Sequence, residues 1–249
     1  MFAKATTKVK KAIFPIFRLD QVSSSKTNMK VQGTGFFINS KGYFISAAHL
    51  FKNLTAQTSF RYFGRLPEEL KQRLLIQEIA KDEKQDIFIG KIDIAELVDF
   101  LYIAQEIPPI GRSVCVSGYP LAKIKRNEKG GPELGGVRRY FQPTFVLDKT
   151  GMKLEGGAIR KVFLTRDFGL FGMSGGPVFD KNGRVFGIQS AVTKPRESKG
   201  PGGRSIIVEN AIVTRNEFLL DLIKKNKIKV NFFAEIDKIK GLISGIIKR

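Results

Sequence analysis

Three kinds of residue in this 249-residue chain could together move a proton and form an acyl bond. The first is Ser174, set among glycines in "GMSGGP" (172–177). The second is His49, the only histidine, at the end of the apolar run "YFISAAHLF". A serine hydroxyl becomes a nucleophile when a neutral imidazole takes its proton. The imidazole in turn needs a carboxylate on its other nitrogen to fix the tautomer. The third kind is therefore an aspartate, and "KDEKQDIFIGKID" offers Asp82, Asp86 and Asp93. Asp86 directly precedes the apolar "IFIGKI" and can turn inward at a strand mouth. Asp82 lies in the charged turn, and Asp93 follows the strand at its other end. Each of these residues also has a plainer reading: a structural histidine, a turn acid, a glycine-rich turn.

Acyl transfer also needs N–H donors aimed at the developing oxyanion. Gly172 lets the backbone turn so that its N–H and that of Ser174 face one space. Gly175 and Gly176 leave room beside the serine, and Pro177 stiffens the exit into the next strand. A plain turn has no need of this whole arrangement.

The elements that must position these residues read mostly as short strands between turn signals. "VQGTGFFINSKGYFISAAH" and "PVFDKNGRVFGIQSAV" are hairpin patterns. "IQEIAKDEKQDIFIGKID" holds two strands about a charged turn. "IPPIGRSVCVSGYP", "YFQPTFVLD", "KVFLTRD" and "RSIIVENAIV" each read as one strand. Repetition of this kind predicts an all-β barrel or sandwich. Segments 121–139 and 193–204 are Gly-rich, Pro-containing and basic and read as surface loops. "PEELKQRLLIQE" (67–78) reads as a short helix. "TRNEFLLDLIKKNK" reads as a helix capped by Thr214, with acids early and lysines late. Residues 233–249 carry an amphipathic pattern, read first as a helix packed on the barrel, with a membrane-surface helix as the alternative.

Composition bounds the partners. A chain of this length, 42% hydrophobic and 27% charged, buries a core without staples. One cysteine, Cys115, forbids an internal disulfide, and one histidine with one cysteine makes no zinc site of the usual kind. No metal and no organic cofactor is expected. The net charge of +20 favours anionic partners. Segments 121–139 and 222–249 are where nucleic acid or another anionic partner would bind. No apolar run reaches membrane-spanning length. The N-terminal "AIFPIF" is short and proline-broken for a secretory segment, which leaves a cytoplasmic location slightly favoured.

The motifs resemble the trypsin-like (chymotrypsin-fold) serine proteases, nearer the Deg-type branch than the digestive enzymes. The matching stretches are "GTGFFINSKGYFISAAH", "DIFIGKI", "GRSVCVSGYP", "GMSGGPVFDKNGRVFGIQSAV" and "ENAIVTRNEFLLDLI", in the family's His, Asp, Ser order. The resemblance implies two six-stranded antiparallel β-barrels with C-terminal helices. It divides the chain into a basic arm and first strand (1–30), an N-terminal barrel (31–110), a C-terminal barrel (111–213) and a helical extension (214–249). It implies a serine endopeptidase acting on polypeptides, with His49 as base, Asp86 as its orienter and Ser174 as nucleophile. Gly172 and Ser174 would form the oxyanion hole, and Phe168, Ser190, Ala191 and Val192 the substrate pocket. Phe168 is not an anion and Val192 replaces a glycine, so small or medium apolar residues are expected before the cut. Met173 replaces the aspartate that pairs with a newly cut N-terminus in the digestive enzymes, which argues against that activation switch. No PDZ module is visible. The competing readings are a protease-fold binding module that engages nucleic acid through its basic surface, and a peripheral membrane protease held by 233–249.

Overall fold

The computed structural model describes residues 1–21, 27–51, 60–66, 73–128, 130–153, 159–166, 169–193, 196–199 and 205–230. Its two main sheets each close on themselves. The first barrel runs in the order β1 (Ile13–Gln21), β2 (Thr27–Phe37), β3 (Tyr43–Ser46), β6 (Ile87–Ile92), β5 (Leu74–Asp82), β4 (Phe60–Gly64). The second runs β10 (Tyr140–Lys153), β11 (Ile159–Thr165), β16 (Ala211–Arg215), β13 (Val185–Val192), β12 (Pro177–Phe179), β7 (Ser113–Gly118). All the barrel pairings are antiparallel. This is the all-β, double six-stranded barrel architecture that the family resemblance implies. Closure removes the exposed strand edges that an open sheet must otherwise protect.

Phenylalanine fills the first barrel. The ring of Phe14 stacks on Phe37 at 4.7 Å between centroids and meets Phe44 edge-on at 5.1 Å. Phe88 carries the contact onward to Phe44 and to Phe51, just past His49. Each such ring stabilises the fold by about 1.5–3 kcal/mol on burial. The second barrel is filled by smaller apolar residues, among them Val114, Val116, Val178 and Val213, around Phe163 and Phe186. Met173 is fully buried in that same cluster. The turn before Ser174 is therefore anchored by an apolar side chain where the digestive enzymes are expected to use an ion pair.

Several local expectations give way to tertiary contacts. The segment read as a basic arm forms the helix α1 (Ala3–Ala12), which buries Ala5, Val9 and Ala12 and leaves lysines outward. Residues 74–78, read as helix, lie in β5, where pairing with β6 from Ile76↔Ile92 to Asp82↔Ile87 overrides the local propensity; residues 67–72 lie outside the described residues. The segment read as one strand in "RSIIVENAIV" is two: β15 (Ser205–Val208), paired with β14 (Arg196–Lys199), and β16 of the barrel. The basic stretch 121–139 contains the hairpin β8 (Lys123–Arg126) and β9 (Pro132–Gly136). The late helix is α2 (Asn216–Lys225), and it begins without a side-chain cap. Thr214, read as its cap, is instead buried at the end of β16. The terminal amphipathic stretch 233–249 lies outside the described residues. Among the described residues no helix is long and apolar enough to cross a membrane.

Candidate active site

Asp86 holds the most demanding backbone position of the site. It ends the turn that joins β5 to β6, with φ of 56°, in the left-handed region that few L residues occupy. Asp82 builds that turn by accepting the Gln85 N–H at 3.0 Å, and the Asp86 N–H reaches the Glu83 carbonyl at 3.3 Å. Asp93 is exposed and pairs with Lys91 and Gln77. Of the three aspartates, only Asp86 meets the histidine.

His49 sits in a single 3-10 turn, Ala48–Leu50, directly after β3. Its backbone N–H donates to Asp86 Oδ1 at 2.8 Å. Its Nδ1 lies 2.9 Å from Oδ2 and 3.0 Å from Oδ1. An ionised carboxylate only accepts, so this contact puts the ring hydrogen on Nδ1 and leaves Nε2 with its lone pair. The His49 side chain is 46% exposed, whereas Asp86 is almost wholly buried. Burial opposes ionisation of Asp86. The hydrogen bonds of His49, its charge when protonated, and the Ser190 hydroxyl outweigh that and hold its carboxyl below the usual carboxylate value.

Ser174 is placed by the second barrel but braced by the first. The Leu170–Met173 turn closes with the Met173 N–H on the Leu170 carbonyl at 3.0 Å. Gly172, its third residue, has φ of 93°, the signature of a type II turn. Thr34 of β2 crosses the barrel interface to grip this turn. Its N–H donates to the Ser174 carbonyl at 2.9 Å, and its hydroxyl donates to the Gly172 carbonyl at 2.8 Å. Gly175 has φ of 81° and donates to the Gln189 carbonyl at 2.7 Å. A side chain at 175 would collide with Ser46, Thr34 and Ala47, so the serine turn backs directly onto the chain leading to His49. Among the described residues, the N–H groups of Gly172 and Ser174 and the Ser174 hydroxyl have no hydrogen-bond partner. Among the described residues, no hydrogen bond joins the Ser174 hydroxyl to His49, and this turn leaves that hydroxyl and two N–H donors unpaired.

Beside His49 lies an open cleft of about 850 Å³, bordered by Asp86, Arg160 and the strand Ser190-Ala191-Val192. Ala191 and Val192 also border an adjoining cleft of about 680 Å³ lined by β10, β11, β16 and β13. Three of the four residues named for the substrate pocket therefore stand at these clefts; Phe168 lies outside the described residues. The Ser190 hydroxyl is not turned to the cleft alone, because it donates to Asp86 Oδ2. Two residues at the site escaped the sequence reading, Arg160 and Thr214. Arg160 is buried in β11 and lies 3.9 Å from Asp86. Set beside Lys161 in "AIRKVFL", an arginine gave no hint that it faces inward. Among the described residues no cluster of His, Cys, Asp and Glu could hold a metal ion.

A family model for a trypsin-like peptidase domain matches residues 33–188. No curated protein sequence matches the chain. Among solved structures, the chain is similar to an HtrA-type protease, AlgW, with a decapeptide. That similarity has a TM-score of 0.65 at 16% sequence identity, covering 91% of this chain and 67% of that one.

Proposed function

The chain belongs to the trypsin-like peptidase family, and on that footing we propose that it is a serine endopeptidase working through Ser174, His49 and Asp86. The observation that carries the proposal is the double contact of Asp86 with His49, through both the ring and the backbone N–H. It supports a neutral imidazole whose Nε2 is free to accept the Ser174 proton as the hydroxyl attacks a peptide carbonyl. The tetrahedral oxyanion would draw the free N–H groups of Gly172 and Ser174. His49 then returns the proton to the leaving amine, and water resolves the acyl-enzyme by the same path. Asp86 stays ionised throughout and stabilises the imidazolium. Ala191 and Val192, at the mouth of the cleft, favour small or medium apolar side chains before the cut; a substrate-library profile led by Lys or Arg would overturn this preference.

The decisive experiment is labelling with a fluorophosphonate probe, read by intact mass. One adduct on wild type and none on Ser174→Ala is the expected result. A folded wild-type protein that takes no adduct would overturn the peptidase reading.

A further inference from the structure

Three adjacent strands of the second barrel, β11, β16 and β13, each send one buried polar side chain toward Asp86 of the first: Arg160, Thr214 and Ser190. Arg160 Nη2 donates to Ser190 Oγ at 2.8 Å and also to Thr214 Oγ1. A hydroxyl that accepts from a guanidinium must send its own hydrogen elsewhere. Ser190 sends its hydrogen to Asp86 Oδ2. Thr214 sends its hydrogen to the Gln85 carbonyl at 3.0 Å. One guanidinium thus sets the direction of two hydroxyls. One of them holds the Asp86 carboxylate, and the other holds the residue before it, next to a left-handed backbone that needs support.

Charge points the same way. Asp86 is buried, and a neutral His49 offers it hydrogen bonds but no countercharge. Arg160 Nη2, 3.9 Å from Oδ2, is the cation that stays there when the imidazole is neutral. A buried carboxylate without such a partner is costly. The other charged groups nearby are already engaged. Lys81 pairs with Glu83 at 2.8 Å on the rim of the cleft, and Asp82, held in its turn, adds a second negative charge that favours the Arg160 cation.

We infer that Arg160 is a positioning residue for Asp86, fixing the carboxylate that orients His49 through the Ser190 and Thr214 hydroxyls. The inference rests on the reading of Asp86 as the orienter of His49 in a serine peptidase.

The test follows the rate of fluorophosphonate labelling at Ser174 against pH in wild type, Arg160→Met and Arg160→Lys, with kcat and KM measured on fluorescein-labelled casein. Arg160→Met should slow labelling by ~10-fold or more, short of the ~10⁴-fold cost of losing the orienting carboxylate in the family's reference enzyme. It should also move the acid limb of the profile to higher pH, because losing a cation raises the proton affinity of the His49–Asp86 pair. Arg160→Lys keeps the charge but not the fork, so the limb should stay in place while only part of the rate returns. On casein, kcat should fall and KM hold. An Arg160→Met protein that folds and keeps the wild-type rate and limb would sink the inference. So would a raised KM at wild-type kcat, which would make Arg160 a substrate-binding residue. If Arg160→Met does not fold, Arg160→Lys decides: wild-type kcat there overturns the role. A wild-type protein that never labels is a different failure, of the peptidase reading itself, and Arg160's role falls with it.

Discussion

At the scale of single residues, the site concentrates its demands on Asp86 and on the glycines around Ser174. Replacing Asp86 by Asn keeps the shape but lets the imidazole take the wrong tautomer, and should cut turnover by ~10⁴-fold. The same residue leaves a mark on stability. Its folded pKa is depressed, so its contribution is fully present above the unfolded carboxyl value of about 3.9 and is lost as pH falls through the lower folded value. Melting temperatures of wild type and Asp86→Asn, measured from neutral pH into acid, should therefore converge below about pH 4. A gap that stays constant there would mean that Asp86 is not ionised in the fold. Gly172→Ala tests the turn. Its φ of 93° and the Tyr119 carbonyl 2.5 Å from an added Cβ leave no room for a side chain. Labelling at Ser174 should be lost while the barrels stay folded by circular dichroism.

At the scale of elements, α2 belongs to the core although it follows the last barrel strand. Leu219 is fully buried on its inner face, and Leu222 and Ile223 lie beside it. Leu219→Ala should destabilise the protein by about 2–5 kcal/mol in denaturant titration. A loss under about 1 kcal/mol would mean that the helix can leave the barrel without cost. Since Leu219 offers the site no polar group, labelling of the folded fraction should keep its rate. The lone cysteine, Cys115, is buried in β7 and is packing material in the same sense.

At the scale of the whole molecule, the proposed site draws on both barrels, His49 and Asp86 from the first and the Ser174 turn from the second. Thr34 is the joint: fully buried, it bonds to both carbonyls of the serine turn and accepts the Tyr119 N–H at 3.1 Å. Thr34→Val keeps the volume but leaves a carbonyl and an N–H unpaired, at a cost of about 1–3 kcal/mol. It should slow Ser174 labelling more than the larger destabilisation of Leu219→Ala does; equal labelling rates for the two would show that the turn holds itself. The net charge of +20 acts at this scale too. Acidic polypeptide substrates should be captured faster at low salt, with kcat/KM falling as salt rises, because long-range attraction is screened. A salt-independent kcat/KM for acidic and basic peptides alike would remove that steering.

The sequence by itself determined the kind of fold and the chemistry to look for. Alternating apolar runs between turn residues demand paired strands, and a glycine-embedded serine downstream of a lone histidine points to a reaction class to test. These signals are local, carried by residues within a few positions of one another. Spacing alone left Asp82, Asp86 and Asp93 open until the family resemblance picked Asp86, and the local pattern misread Thr214 as a helix cap and 74–78 as helix. Only the tertiary structure overturned those two readings and showed Asp86, not Asp82 or Asp93, against His49. Whether a carboxylate meets an imidazole depends on how β5, β6 and β3 close into a barrel. Whether Arg160, Ser190 and Thr214 meet Asp86 depends on how one barrel docks on the other. Contacts between residues far apart in the chain leave no periodic trace in it, because strand pairing and barrel docking fix them after the local pattern is satisfied.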